Sequence, residues 1–159
     1  MFTKISKTFR WEMAHRLPFH DGGCRNIHGH SYAATIEIAG EPEAKTGMVL
    51  DYFDLGAICE PMIKEIDHAF LCDVTDIPVK EFLEQMKLKA VFVEFSTTAE
   101  NIAAWLFSRL SDELMVYKNL RTLRVSVCET ERTSAEVFGE LRIGSPESKL
   151  LEHQSHMLE

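Results

Sequence analysis

Lys4-Ile5-Ser6-Lys7-Thr8-Phe9-Arg10-Trp11-Glu12-Met13-Ala14-His15 and His28-Gly29-His30-Ser31-Tyr32-Ala33-Ala34-Thr35-Ile36-Glu37-Ile38-Ala39 are two runs in which apolar and polar residues alternate. A period of two is that of a strand buried on one face. Lys4 to Ala14 therefore reads as one strand and His30 to Ala39 as a second. Leu17 to Asn26, with Pro18, Asp21, Gly22 and Gly23, is the loop between them. Phe9, Trp11, Met13 and His15 share one face of the first run. His28, His30, Tyr32, Ala34, Ile36 and Ile38 share one face of the second. If the runs pair as an antiparallel hairpin, His15, His28 and His30 converge where two apolar faces end. Three neutral imidazoles suit zinc, and a fourth position left to water or substrate marks a catalytic site rather than a structural one. His-x-His alone is often a surface pair. Register with His15, and Cys24 four residues before His28, favours a metal site.

Beyond the hairpin the period changes. Gly40 to Gly47 is a polar connection. Leu55, Ile58, Met62, Ile63 and Ile66 follow helical spacing, with Asp51 or Asp54 available as N-cap and Pro61 an awkward interior residue. Asp73 to Leu88 is polar, with one proline and some helical character, and its pattern assigns no element. Lys89 to Phe95 alternates as a short strand. Thr97-Thr98-Ala99-Glu100 reads as a capping box opening an amphipathic helix through Ile102, Ala103, Leu106, Phe107 and Leu110. Leu123, Val125 and Val127 mark another strand and Ala135 to Ile143 a last one. The order predicts an α+β fold in which two hairpins join into an antiparallel sheet covered by two helices. Residues 1–143 form a single domain on this reading, and 144–159 a polar tail.

Composition narrows the function. The chain has 159 residues, 45% hydrophobic and 26% charged, as expected of one soluble globular domain. A formal charge of −8, with no basic stripe, argues against nucleic acid as partner. No apolar run approaches a membrane span, and no signal-peptide core opens the chain, so the cytoplasm is the expected address. The four cysteines show no Cys-x-x-Cys spacing, and reduced thiols are expected. Cys59, Cys72 and Cys128 read as small packed residues, whereas Cys24 shares its loop with the candidate ligands. Arg16 and Arg25, beside His15 and Cys24, either oppose the global charge locally for an anionic substrate or are solvated loop arginines.

Two further groups bear chemistry. Asp67-His68 is an acid next to an imidazole, either a general acid/base with an orienting carboxylate or a helix-end surface pair. Glu129 continues the apolar face of Leu123, Val125 and Val127. It is either exposed past the sheet edge or a pocket acceptor whose two oxygens suit a ring edge with two parallel N–H donors.

Ala14-His15-Arg16-Leu17, Cys24-x-x-x-His28-Gly29-His30-Ser31-Tyr32, Asp67-His68-x-x-Leu71, Thr98-Ala99-Glu100-Asn101 and Cys128-Glu129-Thr130 occur in the order seen in the 6-pyruvoyltetrahydropterin synthase and 6-carboxytetrahydropterin synthase family. The chain resembles that family over roughly residues 5–143. The resemblance implies a tunnelling fold (T-fold), a four-stranded antiparallel sheet with two helices on one face. It implies trimeric barrels stacked into a homohexamer with active sites between subunits. It implies zinc on His15, His28 and His30, with Cys24 as proton-abstracting base and Asp67 and His68 as its relay partner from the next subunit. Glu129 becomes the pterin anchor, and Thr98 and Glu100 lie near the pterin pocket. The implied substrate is 7,8-dihydroneopterin triphosphate. Three residues between Cys24 and His28 resemble the carboxy branch, which releases acetaldehyde and triphosphate and leaves 6-carboxy-5,6,7,8-tetrahydropterin on the route to 7-deazaguanine nucleosides such as queuosine. Triphosphate elimination to the pyruvoyl product is the alternative within the family. Outside it stand a non-catalytic pterin-binding module and a structural zinc staple closed by Cys24. Trp11 and Met13 are bulkier than the family's usual residues, and the Asp73 to Phe95 segment is longer.

Overall fold

The structure, a computed structural model, describes residues 1–141. β1 (Thr3–His15) and β2 (His28–Gly40) pair antiparallel along their whole length. α1 (Tyr52–Ile66) leads to β3 (Ala69–Asp73), α2 (Ile77–Gln85) to β4 (Ala90–Val93), and α3 (Ala99–Leu114) to β5 (Leu120–Thr130) and β6 (Thr133–Glu140). The sheet order is β4-β3-β1-β2-β5-β6.

The expected α+β class and the two hairpins are present, β1–β2 and β5–β6, joined through the antiparallel β2–β5 pair. The strand and helix counts differ from expectation. The sheet has six strands rather than four, and it is mixed, because β3 runs parallel to β1 and β4 parallel to β3. A third helix, α2, joins β3 to β4 as a compact β-α-β crossover. α2 falls in the stretch whose pattern assigned no element, and β4 lies within the short strand expected over Lys89 to Phe95. β3 is five residues, four of them buried, so it has no alternation to betray it. The last strand ends at Glu140, and the expected extension to Ile143, like the 144–159 tail, lies outside the described residues.

One face of the sheet carries the main core. Phe9, Trp11 and Met13 of β1, Tyr32, Ala34, Ile36 and Ile38 of β2, and Leu123, Val125 and Val127 of β5 meet Leu55, Cys59, Met62 and Ile66 of α1 and Ile102, Leu106, Leu110 and Leu114 of α3. α2 sits on the opposite face, where Val79 and Leu83 pack on Phe70 and Cys72 beside Ala14. Further along, that face is polar, with Lys4–Glu37, Thr8–Thr35 and Arg124–Glu136 pairs. Period-two alternation made the partition: odd residues of β1 and even residues of β2 face α1 and α3.

Asp51 caps α1, accepting the Phe53 amide at 2.7 Å, and the helix runs on through Pro61. The cap of α3 is Thr98, accepting from Asn101 N at 3.4 Å, one residue later than the capping box predicted. Thr97 is buried and its groups are used elsewhere. Among the described residues no helix is long and apolar enough to cross a membrane.

Removing the Asp51 cap leaves an amide of α1 unsatisfied. Asp51→Ala is expected to lower unfolding free energy by about 1 kcal/mol, with Asp51→Ser close to wild type. Urea denaturation at fixed protein concentration checks this as a lower midpoint with unchanged slope.

Candidate active site

The β1–β2 register sets His15 directly opposite His28 and Met13 opposite His30. The two strand ends thus bring the histidines together, with ring centroids 4.6 Å apart for His15–His28, 5.3 Å for His15–His30 and 5.0 Å for His28–His30. One nitrogen from each ring lies within 4.8 Å of the other two. His15 is buried and the other two half-buried.

Backbone carbonyls orient two of the rings. His15 Nδ1 bonds Thr97 O at 2.7 Å and His28 Nδ1 bonds Asn26 O at 2.8 Å. A carbonyl only accepts, so each Nδ1 carries the proton and each Nε2 presents a lone pair when the ring is neutral. Burial, the largest influence on His15, holds its pKa below the ordinary value and keeps it neutral. His28 Nε2 is buried with no hydrogen-bond partner. An orphaned lone pair facing two more imidazoles fits a divalent cation that prefers nitrogen. Cys24 Sγ stands outside this three-histidine set.

Tyr32, fully buried two residues beyond His30, closes the back of the cluster. Its hydroxyl lies 3.3 Å from His15 Nε2 and donates at 3.3 Å to Glu129 Oε1. Its ring stacks on Trp11 at 5.3 Å between centroids. Burial, reinforced by Glu129, pushes the phenol pKa up, so it remains a donor. Glu129 is half-buried, its side chain 24% exposed, with Oε1 3.7 Å from His15 Nε2.

Cys24 is half-buried in a short 3-10 turn, Gly23–Arg25, and its carbonyl accepts the Leu17 amide at 2.8 Å. Asp67 and His68 lie between α1 and β3, beside Glu12 of β1. Asp67 Oδ1 accepts the Glu12 amide at 3.0 Å and lies 2.9 Å from His68 Nδ1. The Glu12 amide first, and His68 second, hold the Asp67 carboxyl below its usual pKa. His68 takes positive φ (54°), returns its amide to Glu12 O at 2.7 Å and leaves its side chain 75% exposed. Among the described residues no hydrogen bond or ion pair joins Asp67 or His68 to Cys24 or to the three histidines. His30 and His68 do line one cavity of about 530 Å³, with Glu12, Ser31, Leu83 and Lys89.

Thr98, Glu100 and Arg16 complete the sequence candidates. Thr98 spends its hydroxyl on capping α3, and Glu100 is exposed in the first turn of that helix. Arg16, its side chain 24% exposed, is paired through Nε and Nη2 with both carboxylate oxygens of Asp76. Sequence reading missed the Thr97 and Asn26 carbonyls and Tyr32. The carbonyls carry no residue-type signal, whereas Tyr32 was legible as the next residue on the His28–His30 face.

The family model described as 6-pyruvoyl tetrahydropterin synthase matches residues 4–140. The chain is 40% identical over 136 residues to 6-carboxy-5,6,7,8-tetrahydropterin synthase of Haemophilus influenzae, covering 79% of this chain and 96% of that one. It is 30% identical over 155 residues to the protein of the same name from Aquifex aeolicus, covering 84% and 96%. The solved structure of Plasmodium falciparum 6-pyruvoyl tetrahydropterin synthase superposes with a TM-score of 0.72 at 18% identity, over 87% of this chain and 98% of that one. That likeness establishes the T-fold.

Two of the other three thiols are more deeply buried than Cys24. Cys59 and Cys72 are each 2% exposed, and burial pushes their pKa values up to about 12 and about 11. At pH 8 both are expected to react with a disulfide reagent at least ~100-fold more slowly in the native protein than in denaturant, since only the thiolate attacks. Peptide mapping after maleimide labelling checks the assignment, and labelling of Cys72 should climb as pH approaches about 11.

Proposed function

The chain belongs to the 6-pyruvoyl tetrahydropterin synthase family, and from that premise we propose that it is a zinc-dependent carbon–carbon lyase. It converts 7,8-dihydroneopterin triphosphate and one water to 6-carboxy-5,6,7,8-tetrahydropterin, acetaldehyde and triphosphate. The observation that carries this reading is the orientation of the imidazoles. Thr97 O and Asn26 O fix the proton of His15 and His28 on Nδ1, and the buried Nε2 of His28 has no partner. His15, His28 and His30 would hold zinc, which when bound supplies Lewis-acid polarisation of substrate hydroxyl oxygens. Exclusion of Cys24 from the nitrogen set supports a catalytic centre with an open position over a staple.

The remaining roles fall to the chain's own groups. Cys24, on the turn leading into His28, is the base that takes a proton from the substrate side chain. Asp67 holds His68 Nδ1, so His68 Nε2 is free to accept and deliver protons. Its exposure suits service across a subunit boundary in a homohexamer built as a dimer of trimers. Glu129 anchors the pterin edge through the oxygen that Tyr32 leaves free. Thr98 and Glu100 are the further candidates for binding the pterin, Thr98 also capping α3. The carboxy product, the route to queuosine and a cytoplasmic address belong to the same proposal. Support for the branch is the three-residue spacing from Cys24 to His28 and the carboxy name of the relatives at 40% and 30% identity.

Mass spectrometry of products from zinc-loaded protein and 7,8-dihydroneopterin triphosphate, without nicotinamide, should find the 6-carboxy product with acetaldehyde. The pyruvoyl product instead would keep the site and overturn the branch. Unchanged substrate would turn the reading to a pterin-binding module. Cys24→Ser is expected to keep one zinc per chain and lose at least ~100-fold in turnover. Loss of zinc with the thiol would make the site structural. Glu129→Gln should mainly raise KM, because it weakens binding of substrate and transition state alike.

A further inference from the structure

Asp76 stands at the start of α2, where an aspartate ordinarily accepts from the first free amides of the helix. Here its side chain caps nothing. Its oxygens take Arg16 Nε at 2.5 Å and the terminal nitrogen Nη2 at 2.7 Å, a bidentate pair with the carboxylate only 4% exposed. Burial of a carboxylate is costly unless its partner is fixed, and forgoing the cap adds to that cost. What the pair holds is the residue following His15. Arg16 O accepts the Thr97 hydroxyl at 3.2 Å, and Thr97 O in turn accepts the His15 Nδ1 proton. One residue on, Leu17 N binds Cys24 O.

We propose that Asp76 is a positioning residue for the three-histidine centre: through Arg16 it fixes the exit of β1 that carries His15 and, one hydrogen bond further, the turn that carries Cys24. The inference rests on the metal-binding reading of the cluster. It gives a function to the β3–α2–β4 unit, which reaches across the sheet to brace β1 where register with β2 runs out at His15–His28. It also makes Arg16 a poorer candidate for substrate phosphate, since Asp76 matches its charge and takes one edge of its planar fork.

The test is the apparent zinc affinity of the full chain, read by competition with a chromophoric chelator, alongside the thermal midpoint of the metal-free protein. Asp76→Asn and Arg16→Gln are each expected to weaken zinc binding about 10-fold or more, the range typical of groups that orient ligands. The double variant should be no weaker than either single one, because the two act as a unit. Asp76→Glu, which keeps a carboxylate, should stay within about threefold of wild type. A folded Asp76→Asn protein that binds zinc within twofold of wild type overturns the proposal, whatever its thermal midpoint. Should Asp76→Asn fail to fold, Arg16→Lys keeps the charge without the fork. A several-fold loss in that variant supports the proposal and wild-type affinity overturns it. A wild-type chain that binds no zinc overturns the metal centre and this inference together, whereas zinc binding indifferent to Asp76 overturns this inference alone.

Discussion

The pairing of β1 with β2 is the constraint on which the rest depends. Thirteen consecutive pairs, from Thr3–Gly40 to His15–His28, put Phe9, Trp11 and Met13 under the same helices as Tyr32, Ala34, Ile36 and Ile38. Side chains alternate with period two, so a slip of one residue would turn the whole apolar set of one strand toward the polar face. The same slip would send His15 to the opposite side from His28 and His30. Core burial and ligand convergence are therefore enforced by one register. The free energy that holds the imidazoles in place is the burial of aliphatic and aromatic side chains up to ~20 Å away along the strands.

Around this hairpin the site is assembled from pieces distant in sequence, each attached to β1 or β2 by backbone groups. Thr97 O orients His15, Asn26 O orients His28, and Glu12 N and O hold Asp67 and His68. Backbone contacts are indifferent to side-chain identity but exacting in position. Tyr32 adds a side-chain link, a single hydroxyl proton between two acceptors, His15 Nε2 and Glu129 Oε1. Capture of that lone pair by a cation would leave the proton wholly to Glu129. The metal-binding and pterin-anchoring halves of the proposed site thus share a donor.

The β1–β2 hairpin, α1, α3, the last two strands and the three histidines were legible because each rests on a periodic signal or on residue types with narrow chemistry. Alternation set the strands, 3.6-residue spacing set the helices, and the parity of His15 with Met13 and of His28 with Tyr32 set the convergence. β4 was legible too, within the alternating Lys89 to Phe95 run, whereas β3 and α2 were harder. β3 is too short and too evenly buried to alternate, and α2 is nine residues with Pro78 in its first turn and only Val79 and Leu83 buried. The α3 cap was placed one residue early because Thr97 and Thr98 are both good caps. The choice was made by Thr97's tertiary bond to Arg16, which no local pattern encodes. Arg16 was ambiguous for a similar reason, since its partner Asp76 is 60 residues away.

The hairpin also gives the chain an order of assembly. All three imidazoles lie within the first forty residues and meet through pairings of short sequence separation, the kind that form earliest. Thr97, which fixes the tautomer of His15, is 82 residues downstream, and Glu129 lies 97 residues beyond Tyr32. During synthesis the three histidines therefore emerge long before the groups that orient and surround them. Completing the site therefore waits on the chain around α3 and β5, which brings Thr97 and Glu129 to strands synthesised long before.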